Sequence, residues 1–599
     1  MRLIHLKVQN YRALKDFEID IDQFLVVLGE NNSGKSTVFR AMELLLSTGA
    51  KNIAEDSFHN FDTLSPITLI GIFDNLNEEE RNELYAWVLE GKLTIKKEYK
   101  LIDGKIETSY FGIVKVPKED WLNDRFSDYN NREKVSTLPI REFLPETGRI
   151  TRETYNDAVE KYKEKYFDSI DYQVIEKKIS GAFKQKLDDF LPQFQLIPAI
   201  REVSDETKNN STSILGKLVS LVSSHIITDN PKFKDFQEQL NKLNDLFEGQ
   251  DDSHKLEEIE ELEKSLEEAM ENWDVSVNIN IVSPDFNSIL QAGTHITIDD
   301  GVSTTAEQKG HGLQRSLIFA LIRRWAELNS KSYENSDKSK IREKSLIFAF
   351  EEPELFLHPH ICRATYQALK SLSSAYQILL CTHSAHFVNM GDYHNIAILR
   401  KQGKNGGTIS YRVREELFGD DRERKKRFNM VQFFNPDRSE VFFAKKAALV
   451  EGPTEKALIP YLASRLGIEN YKISIINCEG KDNLTLYMKV MNAFRIPYTV
   501  VYDEDPIPEN IKPGEPNFNE DKYRTKCHFF GLNSIIENEC DTEIGFAFKF
   551  PGELESSLGI SKNYAEKVGK PYAALEMYSK DEQEIPEILE KLIRQIYSY

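Results

Sequence analysis

The sequence predicts an α/β protein with more than one domain, and three observations carry that prediction. Short apolar runs end abruptly in glycine or acid: Phe24-Leu25-Val26-Val27-Leu28 before Gly29, Leu346-Ile347-Phe348-Ala349-Phe350 before Glu351, and Tyr498-Thr499-Val500-Val501-Tyr502 before Asp503. Runs without polar alternation are those of strands covered on both faces, as in parallel sheets. Helix-patterned stretches alternate with them, the order of βα units. The length, 599 residues, exceeds what one hydrophobic core serves, so roughly two to four domains are expected.

The chain is 40% hydrophobic and 29% charged, an ordinary globular composition. No apolar run approaches the roughly 20 residues of a membrane span, and positions 1–8 read as a strand rather than a signal peptide. Cys362, Cys381, Cys478, Cys527 and Cys540 show no metal-type spacing and are too few for a disulfide scaffold. The cytoplasm is the expected compartment, with no membrane partner. A net charge of −20 argues against indiscriminate nucleic-acid coating. It leaves room for a local basic groove, or for metal ions that bridge carboxylates to phosphate.

In chain order, positions 3–8 and 17–21 alternate as strands. Then comes Gly29-Glu30-Asn31-Asn32-Ser33-Gly34-Lys35-Ser36-Thr37, between the strand at 24–28 and a helix pattern at 38–46. Strand, loop and helix around G-x-x-x-x-G-K-S form a phosphate-binding P-loop. Gly29 and Gly34 allow the tight fold that turns the N–H groups of Asn32, Ser33 and their neighbours towards phosphate oxygens. Lys35 reaches the β- and γ-phosphates, and the hydroxyl of Ser36, beside Thr37, ligates Mg²⁺. Arg12 fits either a nucleotide contact or a turn. Strands are expected at 67–73, 93–99 and 106–116, and a helix at 78–89.

From Thr151 the texture becomes charged and helix-patterned. Leu240, Leu243, Leu246, Leu256, Ile259, Leu262 and Leu266 recur at helical spacing within 233–273, which predicts a helical hairpin or short coiled coil. Such a stretch is either a solvated helical arm or a dimerisation insert, and the insert is the expected role. Strands are predicted again at 275–282 and 294–298. Lys309-Gly310-His311-Gly312-Leu313-Gln314-Arg315 then opens an apolar helix, again an anion-binding geometry. A polar linker is read at 329–344.

The run at 345–350 delivers Glu351, Glu352 and Glu354 to a strand end, where α/β ligands bind. Glu351 is expected to hold Mg²⁺, and Glu352 to orient the attacking water. A second buried run at 377–382 ends in His383, placed to sense a γ-phosphate.

P-loop, G-x-G turn, EEPE strand and T-H strand, in that order, resemble the ABC/SMC-type ATPases, most closely the RecF-like branch. The resemblance implies an ATPase domain in two parts, 1–150 and 274–427, around an insert at 151–273. It also implies a dimer, because in those proteins the G-x-G signature of one subunit closes over the ATP of the other. Gly310, Gly312 and Arg315 would make that contact. Two departures stand out: Glu351 stands where many relatives carry Asp, and Lys309 lies just before Gly310 with no Ser in the usual phosphate-contacting place. Hydrolysis that is slow or partner-dependent is the consequence.

Positions 401–426, rich in glycine and basic residues, read as a boundary before a final domain at 428–599. There a strand ends in Glu451, turns through Gly452-Pro453 and enters a helix carrying Glu455. A second strand at 473–477 leads to Gly480-Lys481, and a third ends in Asp503-Glu504-Asp505. Carboxylates gathered at one sheet edge repel one another unless divalent cations compensate them. Oxygen ligands select Mg²⁺ or Mn²⁺, and a pair of such ions serves phosphodiester cleavage.

This set resembles the TOPRIM fold. FFAKKAALVEGPTEKALIP, following an EEPE-bearing ATPase, is similar to the OLD (overcoming lysogenization defect) family, which includes the nuclease subunit of the Gabija antiphage system. By that resemblance Glu451, Glu455, Asp503 and Asp505 match metal ligands, with Glu451, Asp503 and Asp505 at the catalytic centre. Glu553 or Glu555 resembles a further ligand. Lys570 resembles the catalytic lysine, with Lys562 and Lys567 as competitors. The function so implied is an ATP-regulated, metal-dependent DNA endonuclease in antiphage defence. It would act as a homodimer or larger assembly, alone or with a helicase or a retron reverse transcriptase and its DNA. The alternative is a non-cleaving DNA-repair ATPase whose TOPRIM module only binds. No attacking tyrosine for strand passage and no primer-making pocket is identifiable.

Overall fold

The computed structural model describes residues 1–47, 53–198, 296–335, 345–418 and 436–598, apart from short stretches within them, together with 239, 261–262 and 264–267. The chain divides into two compact units. The larger comprises Met1–Leu196, Lys344–Pro353 and Leu369–Tyr599; the smaller comprises Ile197–Glu343 and Glu354–Ala368.

In the larger unit, an antiparallel sheet runs in the order Leu14–Asp20, Arg2–Tyr11, Ile67–Asp74, Lys92–Ile102, Lys105–Pro117, Tyr172–Ile179, with Val88–Leu89 beside Lys92–Ile102. The first strand buries Leu3, Leu6, Val8 and Tyr11 in the core, its alternation interrupted by a register shift between Leu3 and His5 and by Asn10 at φ 58. A second sheet has the order Thr408–Arg412, Ile396–Lys401, Phe24–Gly29, Gln377–Cys381, Leu346–Glu351, Gln193–Ile197. Its inner strands pair in parallel and are buried on both faces, as their unbroken apolar runs require.

The helix Lys35–Leu46 packs into a core shared by both sheets. Its Val38, Phe39, Met42 and Leu45 lie with Leu3 and Leu6 of the first sheet and with Val27, Ile347 and Leu379 of the second. At the far end of that helix the buried Lys97 donates to Leu44 O and Ser47 O, and Tyr99 OH donates to Leu44 O. They satisfy carbonyls that a helix end leaves open. Burial pushes the Lys97 amine down to about 7.

The C-terminal sheet is wholly parallel, in the order Ile473–Asn477, Lys446–Val450, Tyr498–Asp503, Gly545–Phe550. Its first strand is central, and the chain leaves it to one side and then the other. The crevice beyond Lys446–Val450 and Tyr498–Asp503 is therefore a topological switch point, the place where open α/β sheets bind ligands. Helices Pro453–Arg465, Lys570–Tyr578 and Glu587–Tyr597 cover one face through Leu458, Leu462, Ala574, Leu592 and Ile596.

Three local expectations change. The helix read at 78–89 stops at Glu83. A 3₁₀ turn, Tyr85–Trp87, and the strand Val88–Leu89 follow, because Trp87 turns to stack on Phe183 at 4.9 Å. The stretch read as helical from 151 contains the helices Arg152–Lys165 and Ala182–Phe190, but also two strands, Tyr172–Ile179 and Gln193–Ile197. The first of these lies on a sheet edge with Val174 and Ile175 exposed, so its charged residues hide the pattern. At 401–426 the chain does not simply leave the domain, since Thr408–Arg412 returns antiparallel to Ile396–Lys401. The leucine pattern at 233–273 lies largely outside the described residues, and the strand expected at 275–282 lies wholly outside them.

The smaller unit holds a hairpin, Thr297–Asp299 with Ser303–Thr305, a 3₁₀ turn and the helix His311–Asn335. That helix runs into what reads as a polar linker.

Candidate functional site

Parallel register aligns the phosphate loop with the acidic and histidine strand ends. Cys381 pairs with Val27 and Glu351 pairs with Cys381, so Gly29, Glu351–Glu352 and His383 leave the same edge on neighbouring strands. Gly29 must be glycine: an added Cβ would lie 2.5 Å from Ser33 Oγ and 2.6 Å from Leu399 O. Gly34 caps the helix at φ 96, and Asn32 also takes positive φ, at 65. The helix has no acidic residue in its first turn, which leaves its positive end for an anion.

Lys35 is buried, and its Nζ donates to Gly29 O and Glu30 O at 2.9 Å each. The ammonium thus lies folded onto the loop that would cradle phosphate. Ser36 is exposed and Thr37 half-buried in the first turn. The loop and the exposed His383 line a cavity of about 600 Å³, which Arg400, Phe442 and Lys445 also border. That volume suits a nucleotide-sized ligand.

Glu352 is held at φ 43 by its N–H on Cys381 O at 2.7 Å, a strained setting of the kind found at working sites. Beside it, Glu351 Oε1 is buried with no hydrogen-bond partner among the described residues. A buried carboxylate oxygen without a donor fits a divalent cation.

In the smaller unit, Gly310 O accepts the N–H groups of Leu313 and Gln314 and so begins the helix. An added Cβ at Gly310 would meet nothing within 4 Å, whereas at Gly312 it would meet Phe356 O at 2.9 Å. Lys309 is turned away to Asp300, and Arg315 is half-buried on the first turn.

At the edge of the C-terminal sheet, Asp503 N–H donates to Glu451 Oε1 at 2.8 Å. This bond ties together the ends of adjacent strands. Burial pushes the Glu451 carboxyl up to about 8; the Asp503 N–H and Lys481 oppose the rise, and the charges of Asp503 and Asp505 add to it. Asp503 Oδ1 accepts Leu554 N–H at 3.1 Å. Glu455 curls back over the turn, its Oε2 3.3 Å from where a Cβ on Gly452 would stand.

Asp505 is placed differently. It sits at φ 48, with Oδ2 3.2 Å from Lys481 Nζ and Oδ1 3.1 Å from Lys526 Nζ. Lys481 Nζ also donates to Asp503 O, and its side chain is 1% exposed. In the sequence, Lys526 carries no signal for this place, and Lys481 carries only its position after Gly480 at a strand-to-helix turn. Among the described residues, no three of His, Cys, Asp and Glu converge closely enough to hold an ion. Glu451 and Asp503 stand side by side at this edge, and the charge of Asp503 helps to keep the Glu451 carboxyl protonated. Lys570 is exposed at the start of the helix Lys570–Tyr578, and Lys567 is exposed three residues before it. Glu553, Glu555 and Lys562 lie outside the described residues.

Residues 1–388 match the AAA ATPase domain model, and residues 442–505 match the "Overcoming lysogenization defect protein-like, TOPRIM domain" model. Old nuclease of Escherichia phage P2 is 24% identical over 615 residues, covering 99% of this chain and 90% of its own length. OLD nuclease of Thermus scotoductus is 24% identical over 96% of this chain and 94% of its own. Endonuclease GajA of Bacillus cereus is 23% identical over 83% and 72%, respectively. Both modules expected from the motifs are thus present in the expected order, and they imply binding of ATP and of a divalent metal ion. The chain belongs to the AAA ATPase domain family, with an OLD-like TOPRIM domain carried behind its P-loop ATPase.

Proposed function

We propose that this chain is an ATP-regulated, divalent-metal-dependent DNA endonuclease of antiphage defence. The observation that carries the reading is the Glu451–Asp503 pair at the switch point of the C-terminal sheet, tied by a 2.8 Å hydrogen bond. Nuclease relatives that align over nearly the whole chain support it.

Glu451 and Asp503 would hold Mg²⁺ or Mn²⁺, with Glu455 and Glu553 or Glu555 as further candidates. Such an ion supplies an acidified water and countercharge for a phosphodiester. Lys570 would stabilise charge on the phosphate.

In the ATPase, Lys35 would draw in the phosphates, Ser36 and Glu351 would hold the nucleotide's Mg²⁺, Glu352 would orient water and His383 would sense the γ-phosphate. Gly310, Gly312 and Arg315 of a second copy would complete the site, which makes the working form a homodimer or larger. The division at about 150, 273 and 427 belongs to the same reading. So do a cytoplasmic setting and a helicase or retron partner.

Regulation by ATP has a structural basis in Lys445 Nζ, 2.9 Å from Glu30 Oε1 of the phosphate loop and one residue before the strand that leads to Glu451. The test is nicking of supercoiled plasmid in Mg²⁺ or Mn²⁺, with and without ATP. The wild type should cleave, Asp503→Asn should not, and Lys35→Ala should cleave at a rate indifferent to ATP. A wild type that leaves every plasmid intact would make the protein a binding-only ATPase.

A further inference from the structure

The cavity beside the phosphate loop is walled by the loop on one side and by the entry to the C-terminal sheet on the other. The part of the loop that borders it is the opening half, Gly29 to Ser33, together with His383, so the cavity lies on the side where a P-loop holds the γ-phosphate. Arg400, Lys401 and Lys445 also border it, and among the described residues that do so Glu30 is the single acid. A concave wall with three cations and one carboxylate attracts a small anion.

Two of these cations are struts. Arg400 Nη1 donates to Arg495 O at 2.6 Å, just before the strand Tyr498–Asp503, and its guanidinium lies 5.1 Å from the centre of the Tyr411 ring. Lys445 Nζ stands 2.9 Å from Glu30 Oε1, and the strand Lys446–Val450 begins at the next residue. The cavity therefore touches the entry of each strand that leads to an acid, Asp503 and Glu451. The two struts are not equally firm. The side chains of Lys445 and Glu30 are 38% and 62% exposed, so their pair is weak and open to competition. Arg400 has five donors, and it keeps Arg495 O while offering others to an anion.

We infer that this cavity is an orthophosphate site: it takes the phosphate split from ATP, binds it through Arg400 and Lys401, and draws Lys445 off Glu30. In that hydrolysis the water oxygen joins the γ-phosphorus and the bond to the bridging oxygen breaks. The bridging oxygen leaves on ADP, one proton goes to solvent, and the anion is set free on the cavity's side of the loop. The strand leading to Glu451 is then unlinked from the loop, while the strand leading to Asp503 stays anchored. The inference deepens the proposed regulation by ATP and rests on it, but its first readout is anion binding rather than cleavage.

The experiment is a calorimetric titration of the full chain, saturated with ADP and Mg²⁺, with sodium phosphate at constant ionic strength. One orthophosphate per chain is expected. Lys401→Met and Lys445→Met should each weaken it by about ten-fold, the loss of one charge-assisted hydrogen bond, whereas Glu30→Gln should tighten it, because Lys445 then has no competing carboxylate. Both lysines are exposed, and retained ADP binding reports that the variants have folded. In single turnovers of ATP, the wild type should release phosphate to a fluorescent phosphate sensor later than it forms it, and Lys445→Met should close that interval. No orthophosphate binding, binding indifferent to both lysine variants, or weaker binding by Glu30→Gln would each overturn the inference. Binding with no delay in release would overturn ATP as the source and leave free phosphate as the ligand. Orthophosphate binding in a protein that nicks no DNA would defeat the nuclease reading alone, and ATP-regulated nicking by a protein that binds no orthophosphate would defeat this inference alone.

Discussion

Gly29→Ala perturbs the phosphate loop by one methyl group, and its cost can be worked from the structure. The new Cβ would stand 2.5 Å from Ser33 Oγ and 2.6 Å from Leu399 O. The serine can turn away. The carbonyl cannot, because Leu399 pairs with Gly29 itself in the parallel ladder between Phe24–Gly29 and Ile396–Lys401. Restoring an ordinary contact of 3.4 Å requires the loop to move by 3.4 − 2.6 = 0.8 Å. Overpacking of this kind costs about 1–3 kcal/mol.

If the loop moves to relieve the clash, its N–H groups leave the phosphate positions. Losing one charge-assisted hydrogen bond costs about 1.5–3 kcal/mol, or roughly 10- to 150-fold in nucleotide affinity. Calorimetry with a non-hydrolysable ATP analogue measures that directly. Gly29→Ala combined with Ser33→Ala should remain weak, because the carbonyl clash persists. Binding by Gly29→Ala within about two-fold of wild type would refute the reasoning.

Three further outcomes are expected. Gly310→Ala meets no atom within 4 Å, so folding and ATP affinity should be unchanged while steady-state hydrolysis falls by about ten-fold, as loss of a transition-state contact would give; unchanged hydrolysis would remove the trans contact and the dimer that it implies. The Glu451 carboxyl, raised by burial to about 8, must lose its proton to an incoming ion. Apparent Mn²⁺ affinity should therefore rise about ten-fold per pH unit between about pH 6 and 7.5 and level off above about 8; a flat calorimetric profile would contradict this. In the metal-free chain the same shift, up from 4.5, means that the folded state binds the extra proton, so melting temperature should fall as pH rises from about 4.5 to 8. Lys445→Glu reverses a pair whose side chains are 38% and 62% exposed. Stability should change by less than about 1 kcal/mol, but nicking with ATP and nicking without it should become equal.

The strands that carry both sites were legible because burial on both faces leaves an unbroken apolar run, and the residue that ends the run is the residue at the sheet edge. That logic found Gly29, Glu351, Glu451 and Asp503. It could not find Tyr172–Ile179, whose pattern of exposure is that of an edge strand, nor the end of the helix at Glu83, which the Trp87–Phe183 stack decides from about a hundred residues away. The direction of each carboxylate was equally out of reach. A D-x-D sequence places two acids two residues apart, but Asp503 stays beside Glu451 while Asp505 turns to lysines 21 and 24 residues distant. Such partners carry no local signature.

In the proposed regulation, the link between the sites runs through one short strand. Lys446–Val450 is central in its sheet, paired in parallel on both sides, with Ala447, Ala448, Leu449 and Val450 fully buried. A strand so enclosed cannot stretch or slip by a fraction of a residue, since its register is fixed by two ladders and a close-packed core. Its entry is pinned to the phosphate loop by Lys445 and Glu30, and its exit is Glu451. About 16 Å of extended chain separate the two ends. A shift of Glu30 when Lys35 leaves the carbonyls of Gly29 and Glu30 for a phosphate must therefore either break the Lys445 pair or be delivered to Glu451. Only delivery to Glu451 would change its hydrogen bond from Asp503 N–H. A graft of flexible residues between Ala444 and Lys446 separates these cases: it should preserve both ATP binding and ion binding while erasing the effect of ATP on cleavage, and a retained effect would place the coupling elsewhere.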